Sequence, residues 1–424
     1  MKWKSLFLCS ILSFLLFAAS PTLQAQTSGF VYVANTPPFG QTPSILGFSI
    51  TDSNGALTPV PGSPFPIPGG GSAPLAVTPS GRFLYTYSTI PGVSGAWGVA
   101  GYAIDPNSGS LTALSASPFF ASTNPPGLLW LRMDPAGKFL YTVALFSDEI
   151  NVFSVDQNTG ALTLQPNSPF HTQFESPIFF TLDATGQFGY MAYEKRGHAG
   201  GEGVISGYKI DPASGAFTLV PGSPFIVPLD PSASNPSFGA TPNWAASDPS
   251  SKFLYVTDDH QFDLWTYSID PTSGALTLLP SSPMHIPQSA NQFTIDPGGN
   301  FAYFTTNFPN PADCGNYYPF TNVHAPNAVF VYSIDRNSGD LSPAKTPVVT
   351  AGYQPNPVVT DPSGTYVYVV NLQGYNFDPK SSTISAYRSR GIGGPVTEVL
   401  GAPFAAGAKA SPFSLVVAAP QKKN

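Results

Sequence analysis

Charge is scarce in this 424-residue chain: 10% of its residues are Asp, Glu, Lys or Arg, against roughly 25% in ordinary globular chains. With 17 Lys and Arg against 24 Asp and Glu, the formal net charge is −7. Basic patches of the kind that hold nucleic acid or an anionic membrane surface cannot be assembled from so few cations, so neither partner is expected. Long hydrophobic runs are also lacking. The only one, Leu6 to Ala19, is too short to cross a bilayer, follows Lys2 and Lys4, and ends in the polar stretch Leu23-Gln24-Ala25-Gln26. That pattern predicts a signal peptide over residues 1–25 and an exported protein, periplasmic or extracellular. Losing Lys2 and Lys4 takes the net charge from −7 to −9. There are two cysteines. Cys9 leaves with the leader, which excludes an internal disulfide and leaves Cys314 as a lone thiol, so the core must hold the fold.

Glycine and proline are abundant, at 40 and 47 residues, and aromatic side chains make up 13% of the chain. These residues recur in a fixed order. The clearest copy runs Phe253-Leu254-Tyr255-Val256, then Tyr267-Ser268-Ile269-Asp270-Pro271-Thr272-Ser273-Gly274-Ala275-Leu276-Thr277, then Ser282-Pro283, then Asp296-Pro297-Gly298-Gly299. Its aromatic-x-Tyr signature begins at Phe30, Phe83, Phe139, Phe188, Phe253, Phe301 and Tyr366, and its outer proline falls at Pro64, Pro118, Pro169, Pro224, Pro283, Pro347 and Pro403. A period of about 50 residues marks stacked units, none of which can bury its apolar face alone.

Each unit reads as four antiparallel strands, a to d. The a-b turn is Asp-Pro-x-Gly and the c-d turn is Asp-Pro-x-Ser-Gly, both rich in residues that tolerate tight turns. The first unit has b, c and d but no a, whereas Ser411 to Val417 forms an a strand with nothing after it. Joining these fragments in one sheet predicts an all-β, seven-bladed β-propeller of four-stranded antiparallel blades, a single domain over residues 26–424, expected to be a monomer. A linear β-solenoid would need no complementary ends.

Antiparallel pairing puts the near-constant a-b and c-d turns on one face and the variable b-c and d-a connections on the other, the usual place for binding and catalysis. The longest variable connections are Asn307 to Asn327 and Phe225 to Thr241. All five histidines fall on that face: His198, His260 and His324 in b-c connections, His171 and His285 in d-a connections. The densest polar cluster is Asp258-Asp259-His260-Gln261-Phe262-Asp263, in which a carboxylate could orient an imidazole acting as base. The chain has no His-x-His, His-Glu-x-x-His or calcium-loop spacing, so no metal site and no cofactor are predicted. Arg196 and His198, in the run Glu194-Lys195-Arg196-Gly197-His198, could hold an anion. Arg132 is the one basic residue of any a strand; it either holds a substrate carboxylate or pairs with Asp134. Trp97, Trp244, Tyr317, Tyr318 and Phe320 could stack on a ring. Cys314 with His324 would suggest a nucleophile only if the fold brought them together.

The recurring Asp-Pro-Ser-Gly-x-Phe-Leu-Tyr-Val and Tyr-x-Ile-Asp-Pro-x-Ser-Gly-Ala-Leu-Thr, from Phe30 to Val417, resemble the lactonase family of seven-bladed propellers, which includes 6-phosphogluconolactonase-like enzymes and carboxymuconate cyclases. Where that family's lactonases tend to carry histidine at the start of inner strands, this chain has Pro74, Gly127, Pro177, Asn243, Asn291, Asn356 and Pro412. The resemblance implies hydrolysis or isomerisation of a lactone. Export and the scarcity of Arg and Lys favour an unphosphorylated sugar or aromatic-derived lactone. In that reading His260 or His171 activates water, with Asp259 or Asp258 orienting the imidazole. Arg132 or Arg196 holds a carboxylate, and His198, His285 and Trp244 contact the substrate. The alternative is a non-catalytic scaffold presenting the same face to a glycan, peptide or protein.

Overall fold

Seven antiparallel sheets follow one another along the chain, one for each copy of the repeat. The computed structural model describes residues 27–421 apart from 37–41, 71–73, 125–128, 145–147, 194–201, 231–239, 259–261, 287–289, 307–327, 353–354, 372–381, 390–395 and 407–410. Within each sheet the order is a-b-c-d, as the turn chemistry implies. The expected join between the ends is present. Strand b of blade I (Thr27–Thr36) pairs on one side with its strand c (Ser44–Thr51) and on the other with Ser411–Ala418, the last strand of the chain, which serves as strand a.

The seven a strands are Ser411–Ala418, Leu75–Val77, Leu129–Met133, Pro177–Leu182, Pro242–Ser247, Ala290–Ile295 and Pro355–Thr360 for blades I to VII. Each contacts the next, and the seventh contacts the first, so they form a closed cycle around an axial channel. Among the described residues, seven apolar clusters lie between neighbouring blades rather than within one. The cluster between blades IV and V, for example, joins Phe179, Tyr190 and Ile205 to Leu254, Trp265 and Tyr267. Burying side chains of this size stabilises by roughly 1.5–3 kcal/mol each, so a blade's stability belongs largely to its interfaces.

The repeat motif explains how these interfaces lock. Among the described residues, five tyrosines of the aromatic-x-Tyr strands reach across to the glycine of the next blade's c-d turn, whereas the buried Tyr141 hydroxyl makes no such bond. The tyrosine hydroxyl donates to that glycine's carbonyl at 2.7 Å for Tyr32 to Gly109, 2.8 Å for Tyr85 to Gly160, 2.9 Å for Tyr190 to Gly274 and 3.0 Å for Tyr255 to Gly339. Tyr368 to Gly55, also at 3.0 Å, closes the circuit from blade VII to blade I. The preceding aromatic ring sits on the same glycine: a Cβ at Gly274 would lie 2.3 Å from the Phe188 ring, and φ there is +75°. Burial pushes the Tyr190 phenol far above its ordinary pKa, with Asp183 and Asp270 adding to the effect, so the hydroxyl remains a donor. The turn itself is held by its aspartate; Asp270 Oδ1 accepts the amides of Thr272 and Ser273 at 3.0 and 2.8 Å.

The outer strand departs from expectation. In six blades it is two short pieces, both paired to strand c, as in Leu276–Leu278 and Met284–His285 of blade V. A Ser-Pro separates the two pieces in five of these blades and Ala402-Pro403 separates them in blade VII. Ser282 Oγ accepts the Thr266 amide at 2.9 Å, standing in for the backbone carbonyl that the bend removes from the ladder. The same serine contact recurs at Ser63, Ser117, Ser168 and Ser223. Blade VI has Thr346-Pro347 instead, and its outer strand runs unbroken over Leu341–Thr350. Hence His171, His285 and Phe225–Val227 belong to edge strands and not to the d-a connections in which they were expected.

Gly274→Ala forces a methyl group into the Phe188 ring at a backbone angle hostile to L side chains, and should cost roughly 3 kcal/mol or more in equilibrium urea unfolding. Tyr190→Phe, which only strips the hydroxyl from the same lock, should cost about 1–2 kcal/mol. Equal stability of wild type and both variants would mean the interlock carries no weight.

Candidate functional site

Two constellations stand out among the described residues: one in the channel, one on the variable edge of blade V. The channel holds a cavity of about 360 Å³ whose lining includes Trp130, Arg132, Trp244, Gln292, Thr294 and Ser414. Arg132 lies on strand a of blade III, and its guanidinium carbon sits 5.5 Å from the centre of the Trp130 ring, 4.8 Å from Phe179 and 5.6 Å from Trp244. The two indoles meet edge to face at 5.4 Å, and both are anchored: Trp130 donates to the Ile178 carbonyl and Trp244 to the Phe293 carbonyl, the latter at 2.9 Å. Three ring faces supply the negative electrostatic surface that a desolvated cation needs.

The expected partnership with Asp134 does not form. Asp134 accepts the Phe139 amide at 2.8 Å inside its own a-b turn. Arg132 turns instead to the neighbouring blade, its Nε donating to the Phe180 carbonyl at 3.0 Å and its Nη1 to the Leu131 carbonyl at 3.3 Å. No carboxylate faces it among the described residues, and a guanidinium offers five N–H donors. Burial lowers its pKa to about 10, which leaves it cationic at neutral pH. The channel therefore presents a fixed positive charge with unused donors beside two indoles, an arrangement suited to holding an anionic ring compound.

The second constellation crosses the top of blade V. Asp258 ends strand b (Phe253–Asp258), Asp263 begins strand c (Asp263–Ile269), and His285 ends the outer strand, directly opposite Asp263 in the pairing register. His285 Nδ1 donates to Asp263 Oδ1 at 2.6 Å, while its Nε2 lies 3.5 Å from Asp230 Oδ2. Asp230 belongs to the connection from blade IV, as does Thr241, whose amide donates to Asp258 Oδ2. Asp258 and Asp263 are wholly buried, Asp230 nearly so, and His285 is half exposed. Burial pushes the Asp263 carboxyl up to about 7; His285 opposes this, while Asp230 and Asp258 add to it.

Of the residues nominated from the sequence, Arg132 and Trp244 share the channel cavity, and Asp258 and His285 share the blade V cluster. His171 is exposed at the edge of blade III, beside a hollow of about 160 Å³, away from both. Trp97 is buried in the core, its indole donating to the Asn124 carbonyl, and is closed to ligands. Arg196, His198, Asp259, His260, Cys314, Tyr317, Tyr318, Phe320 and His324 lie outside the described residues, as does the leader. Asp230 and Asp263 were not nominated. A signal for Asp263 exists in the repeat: Glu149 faces His171 in blade III at the same register and the same spacing as Asp263 and His285 in blade V.

By architecture this is a closed seven-bladed propeller with a cationic, aromatic-walled channel. The family model described as Lactonase, 7-bladed beta-propeller matches residues 130–227. The 6-phosphogluconolactonase of Serratia proteamaculans is 28% identical over 156 residues, covering 36% of this chain and 42% of that protein. The enzyme of the same name from Pectobacterium carotovorum is 30% identical over 156 residues, covering 35% and 41%. The match thus spans about two fifths of the length of these curated relatives. Among solved structures, the Pseudomonas aeruginosa periplasmic gluconolactonase superposes with a TM-score of 0.61 at 14% identity, covering 92% of this chain and 99% of that one. A Lactobacillus plantarum protein does so with 0.62 at 14% identity, covering 92% and 99%. At those identities the superpositions speak for the fold alone. The family match, the curated relatives and the closed ring together support a lactonase-family propeller.

The aromatic cage makes a testable demand on Arg132. Arg132→Met, which keeps an unbranched chain between the rings, should fold with a melting point near that of wild type. Arg132→Glu, which places an unpaired carboxylate against three ring faces, should lose roughly 3 kcal/mol or more. Circular-dichroism melts of the two variants decide it.

Proposed function

We propose that this protein is an exported lactonase-like propeller that hydrolyses or isomerises an unphosphorylated lactone, either a sugar lactone or a carboxylated, aromatic-derived one. The observation that carries this reading is the Arg132 guanidinium, cationic and without a carboxylate partner among the described residues, on the wall of the channel cavity. Opening a lactone liberates a carboxylate, and a guanidinium fork recognises that group with two parallel hydrogen bonds. Trp130 and Trp244 would stack on the ring. One cation suits a carboxylate better than a phosphate dianion, which calls for converging Arg and Lys; this favours an unphosphorylated substrate. His260, oriented by Asp259 or Asp258, is the proposed base, with Arg196 and His198 as further contacts from the same face.

A second reading has one observation in its favour. None of the described residues lining the cavity is a carboxylate or an imidazole, which suits a binding module that holds a glycan or an acidic ring compound without turning it over.

Turnover of unphosphorylated sugar lactones, carboxylated lactones and 6-phosphogluconolactone by the purified protein separates the readings. We expect hydrolysis or isomerisation of an unphosphorylated member. Arg132→Met should raise KM about tenfold or more and His260→Ala should lower kcat about 100-fold. Binding without turnover would favour the module, and preference for the phosphate ester would overturn the substrate class.

A further inference from the structure

We propose that Asp230, Asp263 and His285 form a binding site for a first-row divalent cation of the zinc type on the variable edge of blade V. One ligand atom from each of the three lies within 4.8 Å of the others, a spread that small side-chain rotations can close around a single ion. Acidic clusters are common, and this one would carry little weight without a further feature. Asp263 is wholly buried, and its Oδ2 has no hydrogen-bond partner although its Oδ1 is held by His285. A buried carboxylate oxygen left in that state is costly to a fold and is a ready ligand for a cation.

The donor set indicates the type of ion. Two carboxylate oxygens and one imidazole suit zinc or manganese, whereas calcium prefers an all-oxygen shell and magnesium keeps most of its water. Three protein donors with a half-exposed histidine leave a position open to solvent, the pattern of a zinc site that is not purely structural. Asp258 stands behind the three, its carboxylate held by the Thr241 amide, and adds negative potential without being required as a ligand. Because Asp230 comes from the connection out of blade IV and the other two from blade V, a bound ion would tie that connection to the next blade. Blade III provides an internal contrast. Glu149 and His171 occupy the same register, and Glu149 Oε2 is likewise buried without a hydrogen-bond partner while Asn124 donates to Oε1 at 2.7 Å, but no third donor joins them among the described residues. The acid-histidine register therefore does not suffice; the aspartate from the preceding blade completes the set.

Calorimetric titration of the chelator-treated full protein with zinc chloride tests this, with a thermal-shift series alongside. We expect one equivalent to bind with micromolar or tighter affinity and to raise the melting temperature with concentration. His285→Ala, whose fold is checked by circular dichroism because it removes the partner of Asp263 Oδ1, and Asp263→Asn should each weaken binding by about 100-fold or more, while His171→Ala should leave it unchanged. Absence of stoichiometric zinc binding, or binding that survives in His285→Ala, would overturn the proposal. In that case His285 is simply an imidazole held between two aspartates.

Discussion

A tyrosine hydroxyl resting on a glycine carbonyl of the next blade is the contact around which this molecule is organised. The glycine lacks a side chain because the neighbouring phenyl ring occupies that space, and it adopts a positive φ because the Asp-Pro-x-Ser-Gly turn demands one. The hydroxyl then satisfies a carbonyl that would otherwise be buried unpaired. Two sequence motifs that read locally as a strand and a turn thus prove to be the two halves of one interlock, contributed by different blades. Single blades have no independent core, and each gains one only from its neighbours.

That arrangement divides the polar groups of a charge-poor chain into two populations. Aspartates on the constant face are consumed by turns: Asp134, Asp183, Asp248 and Asp361 each accept the amide that opens strand b, and Asp105, Asp156, Asp211 and Asp270 hold the c-d turns. The exceptions therefore carry the chemical interest. Arg132 is stabilised by ring faces instead of a counter-ion, and the blade V edge gathers three buried carboxylates around one imidazole. Both lie where the interlock needs nothing from them.

The architecture was legible because its determinants are local and repeated: turn residues at fixed offsets, aromatic-x-Tyr strands, and complementary strand fragments at the two ends. The split outer strand was not, since Ser-Pro reads as a terminator until Ser282 is seen to replace a ladder carbonyl and let the edge resume. The partner of Arg132 was misjudged for a related reason. Asp134 is near in sequence, yet the side chain crosses to Phe180 of the next blade. In the blade V cluster, Asp258 and His285 were visible as polar residues on the right face. The Asp263-His285 pairing could be read only by aligning one blade against another, and Asp230 enters from a connection that no repeat pattern describes.

Circular closure is what turns seven marginal sheets into one cooperative body, and it depends on Ser411–Ala418 pairing with Thr27–Thr36. Equilibrium urea unfolding of a chain ending at residue 410 addresses this directly. If closure holds the ring, that chain should lose its single cooperative transition and its near-ultraviolet circular dichroism, although six complete blades remain encoded. A midpoint and slope indistinguishable from those of the full chain would contradict the account.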